Sequence, residues 1–265
     1  MSLLSARNVS RVYRRVSLIG ASKSAHVLDD VSLDIAHGET VALLGRSGCG
    51  KSTLARLLLG LERPDSGDIL FEGHPLASLP KAEMPGFRRA VQMVFQDSVG
   101  AVDPRATIGA IVAEPLRHLL GLDGEALRAR VADLLDKVGL DPRDAGKLPA
   151  QMSGGQLQRV CLARAFAPEP KLIVLDEAVS NLDLHLQIQM IALFERLREE
   201  TGTAYLFVTH DIRLVERFCT RVLVMDEGRM VEEAPVTRPL ALQSPAGRAL
   251  REAVLPAYPR RMMPA

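Results

Sequence analysis

Apolar residues recur along this chain in two rhythms, and the alternation between them outlines a fold. Solid runs at Val41 to Leu44, Leu172 to Leu175, Ala204 to Val208 and Val222 to Met225 have the length of strands buried on both faces, as in a parallel sheet. Around them the period lengthens to that of a helix. Leu54, Leu57, Leu58 and Leu61 fall at i, i+3, i+4 and i+7, which predicts a buried stripe. Leu127, Val131, Leu134, Leu135 and Val138 form a second stripe, stopped by Gly139 and Pro142, and Met190, Leu193, Phe194 and Leu197 form a third. The opening third reads as strands and turns instead, with strands at Val27 to Ile35 and Asp68 to Glu72 punctuated by His37-Gly38 and Ser66-Gly67. From Asp97 the texture turns helical. Asp226-Glu227-Gly228 predicts a hairpin turn, and six prolines from Pro235 to Pro264 predict an appended, partly irregular tail.

Composition narrows the function classes. The 265 residues allow one large α/β domain or two small ones with a sizeable core. Lys plus Arg (33) nearly cancel Asp plus Glu (32), so no global field favours nucleic acid or anionic lipid. Cys49, Cys161 and Cys219 stand far apart, which suggests neither a disulfide framework nor a zinc or iron-sulfur site and suits a reducing compartment. Met1 to Tyr13 lacks the apolar core of a leader, and no run approaches the ~18 apolar residues of a membrane span. A soluble chain is expected, attached to any membrane through a partner. His26, His37, His74, His118 and His185 are scattered without ligand spacing and are expected to be solvated.

Chemistry enters with Gly45-Arg46-Ser47-Gly48-Cys49-Gly50-Lys51-Ser52, a glycine-rich turn between an apolar strand and an apolar helix. Its backbone N–H groups and the helix N-terminus converge with partial positive charge, the arrangement that binds the β- and γ-phosphates of a nucleotide. Lys51 would neutralise phosphate charge and Ser52 would ligate Mg²⁺. Cys49 sits at an unconstrained position and reads as a small space-filling residue. Asp176 and Glu177 end the run from Leu172, as at the open end of a parallel strand. Asp176 would hold the Mg²⁺ shell and Glu177 would polarise an attacking water; alone, acids at a strand end are as often simply solvated. Ser153-Gly154-Gly155-Gln156 precedes a helical stretch, with Ser153 as cap and two glycines allowing close approach of a second anion.

In this order the motifs resemble those of ABC-type ATPases. The resemblance spans nearly the whole chain: Tyr13, the phosphate loop, Gln96 in Val94-Phe95-Gln96-Asp97, the Ser153 to Gln156 signature, Asp176-Glu177, Ser180-Asn181-Leu182-Asp183, and Thr209-His210-Asp211. Met152 stands where Leu is usual in that family and Asn181 where many members have Ala. The resemblance implies a P-loop NTPase fold: a RecA-like core, an antiparallel β subdomain and an α-helical subdomain. It implies an ATPase domain over residues 1–233, with the helical subdomain at about 97–152, and a tail over 234–265. It also implies a head-to-tail dimer. The loop of one subunit, Gly45 to Thr53, and the signature of the other enclose ATP, Tyr13 stacks on adenine, and Gln96 ligates Mg²⁺ or water and reports occupancy to the helical subdomain. His210 contacts the γ-phosphate and orients Glu177 and the attacking water.

Finer likeness points to importers. Gln96-Asp97-Ser98 with Asp103-Pro104-Arg105 resembles the dipeptide, oligopeptide and nickel importer group, and the wording around the loop, the signature and Leu214 to Cys219 is most similar to its nickel-importer ATPases. The implied partners are a second, related ATPase, two transmembrane permease subunits docking around Ser98 to Leu120, and indirectly a periplasmic solute-binding protein, at the cytoplasmic face of the bacterial inner membrane. Peptide import is the close alternative. A soluble ABC ATPase acting on DNA or ribosomes fits less well, because its coiled-coil or zinc inserts and its second domain are missing.

Overall fold

A computed structural model describes residues 2–15, 23–179 and 184–253. The Ser180 to Asp183 motif, Asn181 included, and the last twelve positions lie outside the described residues. Two sheets form the frame. The larger runs β10 (Arg229–Pro235), β9 (Arg221–Asp226), β3 (Thr40–Leu44), β8 (Ala204–Thr209), β7 (Leu172–Asp176), β6 (Val91–Val94). It is parallel from β9 to β6, with β10 added antiparallel at one edge. The smaller sheet is antiparallel, in the order β2 (Lys23–Ala36), β1 (Ser2–Arg15), β4 (Ser66–Phe71), β5 (His74–Pro75).

The solid apolar runs are solid because the large sheet separates two cores. Along β8, Tyr205 and Phe207 point into one core while Ala204, Leu206 and Val208 point into the other. In β3 the same parity sends Ala42 and Leu44 one way and Val41 and Leu43 the other. The first core is shared with α5 (Gly154–Phe166), α6 (Leu184–Thr201), α7 (Ile212–Phe218) and the helical insertion of α3 (Ile108–Leu120) and α4 (Gly124–Lys137). The second lies under the antiparallel sheet and α1 (Lys51–Leu58), with Phe87 of α2 (Met84–Ala90) at its edge. No helix among the described residues is long and apolar enough to cross a membrane.

The helical stripe from Leu127 to Val138 is buried in full, and α4 stops at Lys137. Three expectations need correction. α1 ends at Leu58, so Leu61 lies beyond it and is 63% exposed rather than completing a buried stripe. Ser66 and Gly67 open β4 instead of forming a turn, at a shift of register against β1. The tail segment is more ordered than its prolines suggest: Leu240 and Leu242 are buried in the first core, and Ser244 caps α8 (Pro245–Glu252) by accepting the Gly247 N–H.

Phe194 of α6 is fully buried, with ring centroids 6.0 Å from both Tyr205 and Phe218. Phe194→Ala is expected to destabilise the chain by about 3–5 kcal/mol through lost burial and a residual cavity. A lower urea midpoint with an unchanged slope in equilibrium unfolding would register it.

Candidate functional site

Register along the parallel strands assembles the site. Val94 pairs with Leu175, so the residues two positions further on, Gln96 and Glu177, emerge side by side, and Gln96 Nε2 donates to Glu177 Oε2 at 3.0 Å. Asp176 pairs with Val208 and Leu44 with Thr209, which brings the phosphate loop and His210 to the same carboxyl edge. His210 Nδ1 lies 3.2 Å from Glu177 Oε1. Residues distant in sequence thus meet because their strands end level.

The loop itself is held by backbone geometry. A Cβ on Gly45 would sit 2.4 Å from the Met225 carbonyl oxygen, so only glycine lets the chain pass that strand. Gly50, the N-cap of α1, has φ 107°, and a Cβ there would lie 2.6 Å from the Val27 carbonyl oxygen. It has no side chain to cap the helix, so the first-turn N–H groups of α1 face the loop's interior. Lys51 is buried, its ammonium donating to the carbonyls of Gly45 at 2.8 Å and Arg46 at 3.0 Å, which wraps the loop around its charge. Cys49 is also buried, its sulfur 3.9 Å from the Lys51 Nζ.

These groups line one open cleft of ≈ 400 Å³ that joins Ser47, Gly48, Gly50, Lys51, Ser52 and Thr53 to Gln96, Asp176 and Glu177. Burial pushes the Asp176 carboxyl above the usual carboxylate range, and the Glu177 charge adds to this; a hydrogen bond from Ser52 and the charge of Lys51 oppose it. A carboxylate so poorly solvated gains from a divalent cation beside it, and with the Ser52 hydroxyl it offers the hard oxygen donors that Mg²⁺ prefers. The residues present therefore fit that ion. Among the described residues no cluster of three or more His, Cys, Asp or Glu is arranged to hold a metal.

Tyr13 does not line that cleft. Its hydroxyl donates to Glu62 Oε2 at 2.6 Å and accepts from Arg56, which also reaches Thr53 Oγ1 at 3.2 Å; the Arg11 guanidinium sits 5.0 Å from the ring centroid. Sequence reasoning missed Arg11, Arg56 and Glu62, which orient this ring. The one available signal was Arg56 lying three residues after Thr53 on a helix.

The signature lies elsewhere. Ser153 accepts from the Gln156 N–H while Gln156 Oε1 accepts from the Ser153 N–H, a reciprocal cap that starts α5. Ser153, Gly155 and Gln156 line a separate cleft with Asp141, Arg159 and Leu186, sharing no residue with the loop cleft. Met152, half-buried, packs on the first core as Leu would.

Comparison with known proteins finds relatives over nearly the whole chain. The nickel import ATP-binding protein NikE of Rhodospirillum rubrum is 64% identical over 257 residues, covering 97% of this chain and 93% of that protein. Among solved structures, the dimeric ATP-binding cassette MJ0796, in a post-hydrolysis state bound to ADP and Pi, superposes with a TM-score of 0.77 at 30% identity, over 88% of this chain and 99% of that one. CbiO1 of Clostridium perfringens, described as part of the ABC transporter complex cbiONQ, gives 0.76 at 27% identity, over 90% of each chain. Residues 28–180 match the ABC transporter family. With the loop, the acid pair, Gln96 and His210 gathered at one sheet edge, the chain belongs to that family, as one of its ATP-binding, ATP-hydrolysing subunits.

Proposed function

We propose that this chain energises nickel uptake across the bacterial inner membrane, working from the cytoplasmic face as the peripheral ATPase of an importer. The observation that carries the reading is the cleft in which Lys51, Asp176, Glu177 and Gln96 meet, in a chain 64% identical to a nickel import ATP-binding protein. Backbone amides of Gly45 to Thr53 and the Lys51 ammonium hold the triphosphate, and Tyr13 stacks on the adenine. Ser52, Asp176 and Gln96 hold Mg²⁺, which when bound neutralises phosphate charge. Glu177 takes the proton of the attacking water while His210 fixes the carboxylate's orientation. Two such ATPases act head to tail, so Ser153 to Gln156 of this chain close over ATP bound by a related sister subunit. The ATPase domain spans 1–233, with the helical subdomain at about 97–152 inserted, and the 234–265 tail rides on it.

The surface offered to two transmembrane subunits is an apolar groove of ≈ 420 Å³ between α2, β6 and α3, lined by Leu59, Leu61, Met84, Phe95, Pro115 and Leu119. Leu61 and Phe95, 63% and 40% exposed, are large apolar side chains left facing outward beside α3. A periplasmic solute-binding protein delivers cargo to those subunits and touches this chain only through them; no nucleic acid takes part. Cells lacking this chain are expected to lose nickel accumulation and to take up dipeptides normally. Loss of dipeptide uptake with nickel unaffected would transfer the assignment to a peptide importer.

A further inference from the structure

We infer that Arg164 is a positioning residue for hydrolysis, clamping the Gln96 loop to the helix that carries the signature. The inference rests on the ATP-hydrolysing reading above. Immediately after Gln96 the chain forms a self-braced turn: Asp97 Oδ1 accepts the N–H groups of Val99 and Gly100, each at 3.0 Å, and the Asp97 carbonyl accepts that of Ala101 at 3.1 Å. Two carbonyls of this turn are then taken by α5. Arg164 Nη1 donates to the Ala101 carbonyl at 2.6 Å, and the Cys161 thiol donates to the Ser98 carbonyl at 3.7 Å. Burial raises the Cys161 pKa, which keeps the sulfur protonated and therefore a donor.

Positions 161 and 164 are one turn apart on a single helix face, so the contact has two points and resists pivoting. Ser153 begins the same helix, which is ~20 Å long at ~1.5 Å per residue. A braced turn fixed at two points to a rigid rod moves with it. Gln96, bonded to Glu177 in the loop cleft, and Ser153, serving the other cleft, are in this way the two ends of one mechanical unit. Arg164 also lines both the apolar groove and a smaller polar pocket formed with Asp103, Glu114 and His118. It therefore stands where a load from the membrane subunits meets the path between the two nucleotide clefts. An arginine near the C-terminal end of a helix also favours the helix dipole, but that role needs no reach to a carbonyl on another segment.

The test is a double-mutant cycle on the assembled ATPase with its sister subunit, comparing wild type, Gln96→Ala, Arg164→Ala and the double variant by kcat and KM for ATP. Arg164→Ala is expected to lower kcat about tenfold while KM stays within about twofold, because the phosphate loop is untouched. Arg164→Lys should recover part of the loss, and the double variant should lose no more than the worse single one. An unchanged kcat, a KM that rises in step with the kcat loss, or losses that multiply in the double variant would overturn the inference. If Arg164→Ala fails to fold by circular dichroism, Arg164→Gln takes its place in the cycle with the same criteria. Glu177→Gln is assayed alongside. Turnover surviving in that variant would sink the hydrolytic assignment beneath the inference; turnover lost there, with Arg164→Ala at wild-type kcat, would sink the clamp alone.

Discussion

Glu177→Gln is expected to cut kcat of the assembled ATPase by about a thousandfold, the middle of the range for removing a general base. ATP affinity should change little. The side chain is 21% exposed at the mouth of the cleft, held on one oxygen by Gln96 and on the other by His210, while the phosphates are met by the loop on the far side. Glutamine keeps the shape and can still accept from Gln96, so the variant isolates proton removal from positioning. Phosphate release and filter-bound nucleotide, measured on the same preparation, separate the two. A variant that hydrolyses at the wild-type rate would return Glu177 to an ordinary solvated strand-end acid and leave the water without a base.

Ser153→Arg carries the second large effect, a loss of at least about a hundredfold in steady-state turnover with nucleotide binding to this chain's own loop retained. A bulky cation would fill the cleft that Gly155 and Gln156 open beside it. The same change also removes the reciprocal cap of α5, worth about 1 kcal/mol. Ser153→Ala loses that cap without the bulk and serves as the control: its melting temperature should fall comparably while much of its turnover survives. Full activity in the Ser153→Arg complex would mean that the signature does not serve a shared site.

Much of this was readable beforehand, for identifiable reasons. Strands buried on both faces write themselves as uninterrupted apolar runs, so β3, β7, β8 and β9 were found where expected, each within a residue or two at its ends. β1 was not found. Its pairing with β2 shifts register several times, which breaks the two-residue alternation by which a half-buried strand is recognised. β6 is only four residues long, and β10 lies at an exposed edge where Met230-Val231 and Glu232-Glu233 come in like pairs that hide the two-residue period, so neither stands out. Leu61 kept the helical spacing although the helix had ended, because spacing carries no information about where hydrogen bonding stops. The site residues were named from their motifs, but their meeting was not legible: nothing local to Gln96 says that it will face Glu177, since that follows from β6 pairing with β7. Arg164 was invisible for the opposite reason. Arginines on helices usually point to water, and its carbonyl partner is 63 residues away.

The two clefts, one with the loop and one with the signature, share no residue. In the proposed head-to-tail arrangement, a newly made copy without its mates would own two incomplete halves and no whole catalyst. Such a subunit would draw nothing from the cell's energy supply until assembly, and consumption would begin only where cargo has somewhere to go.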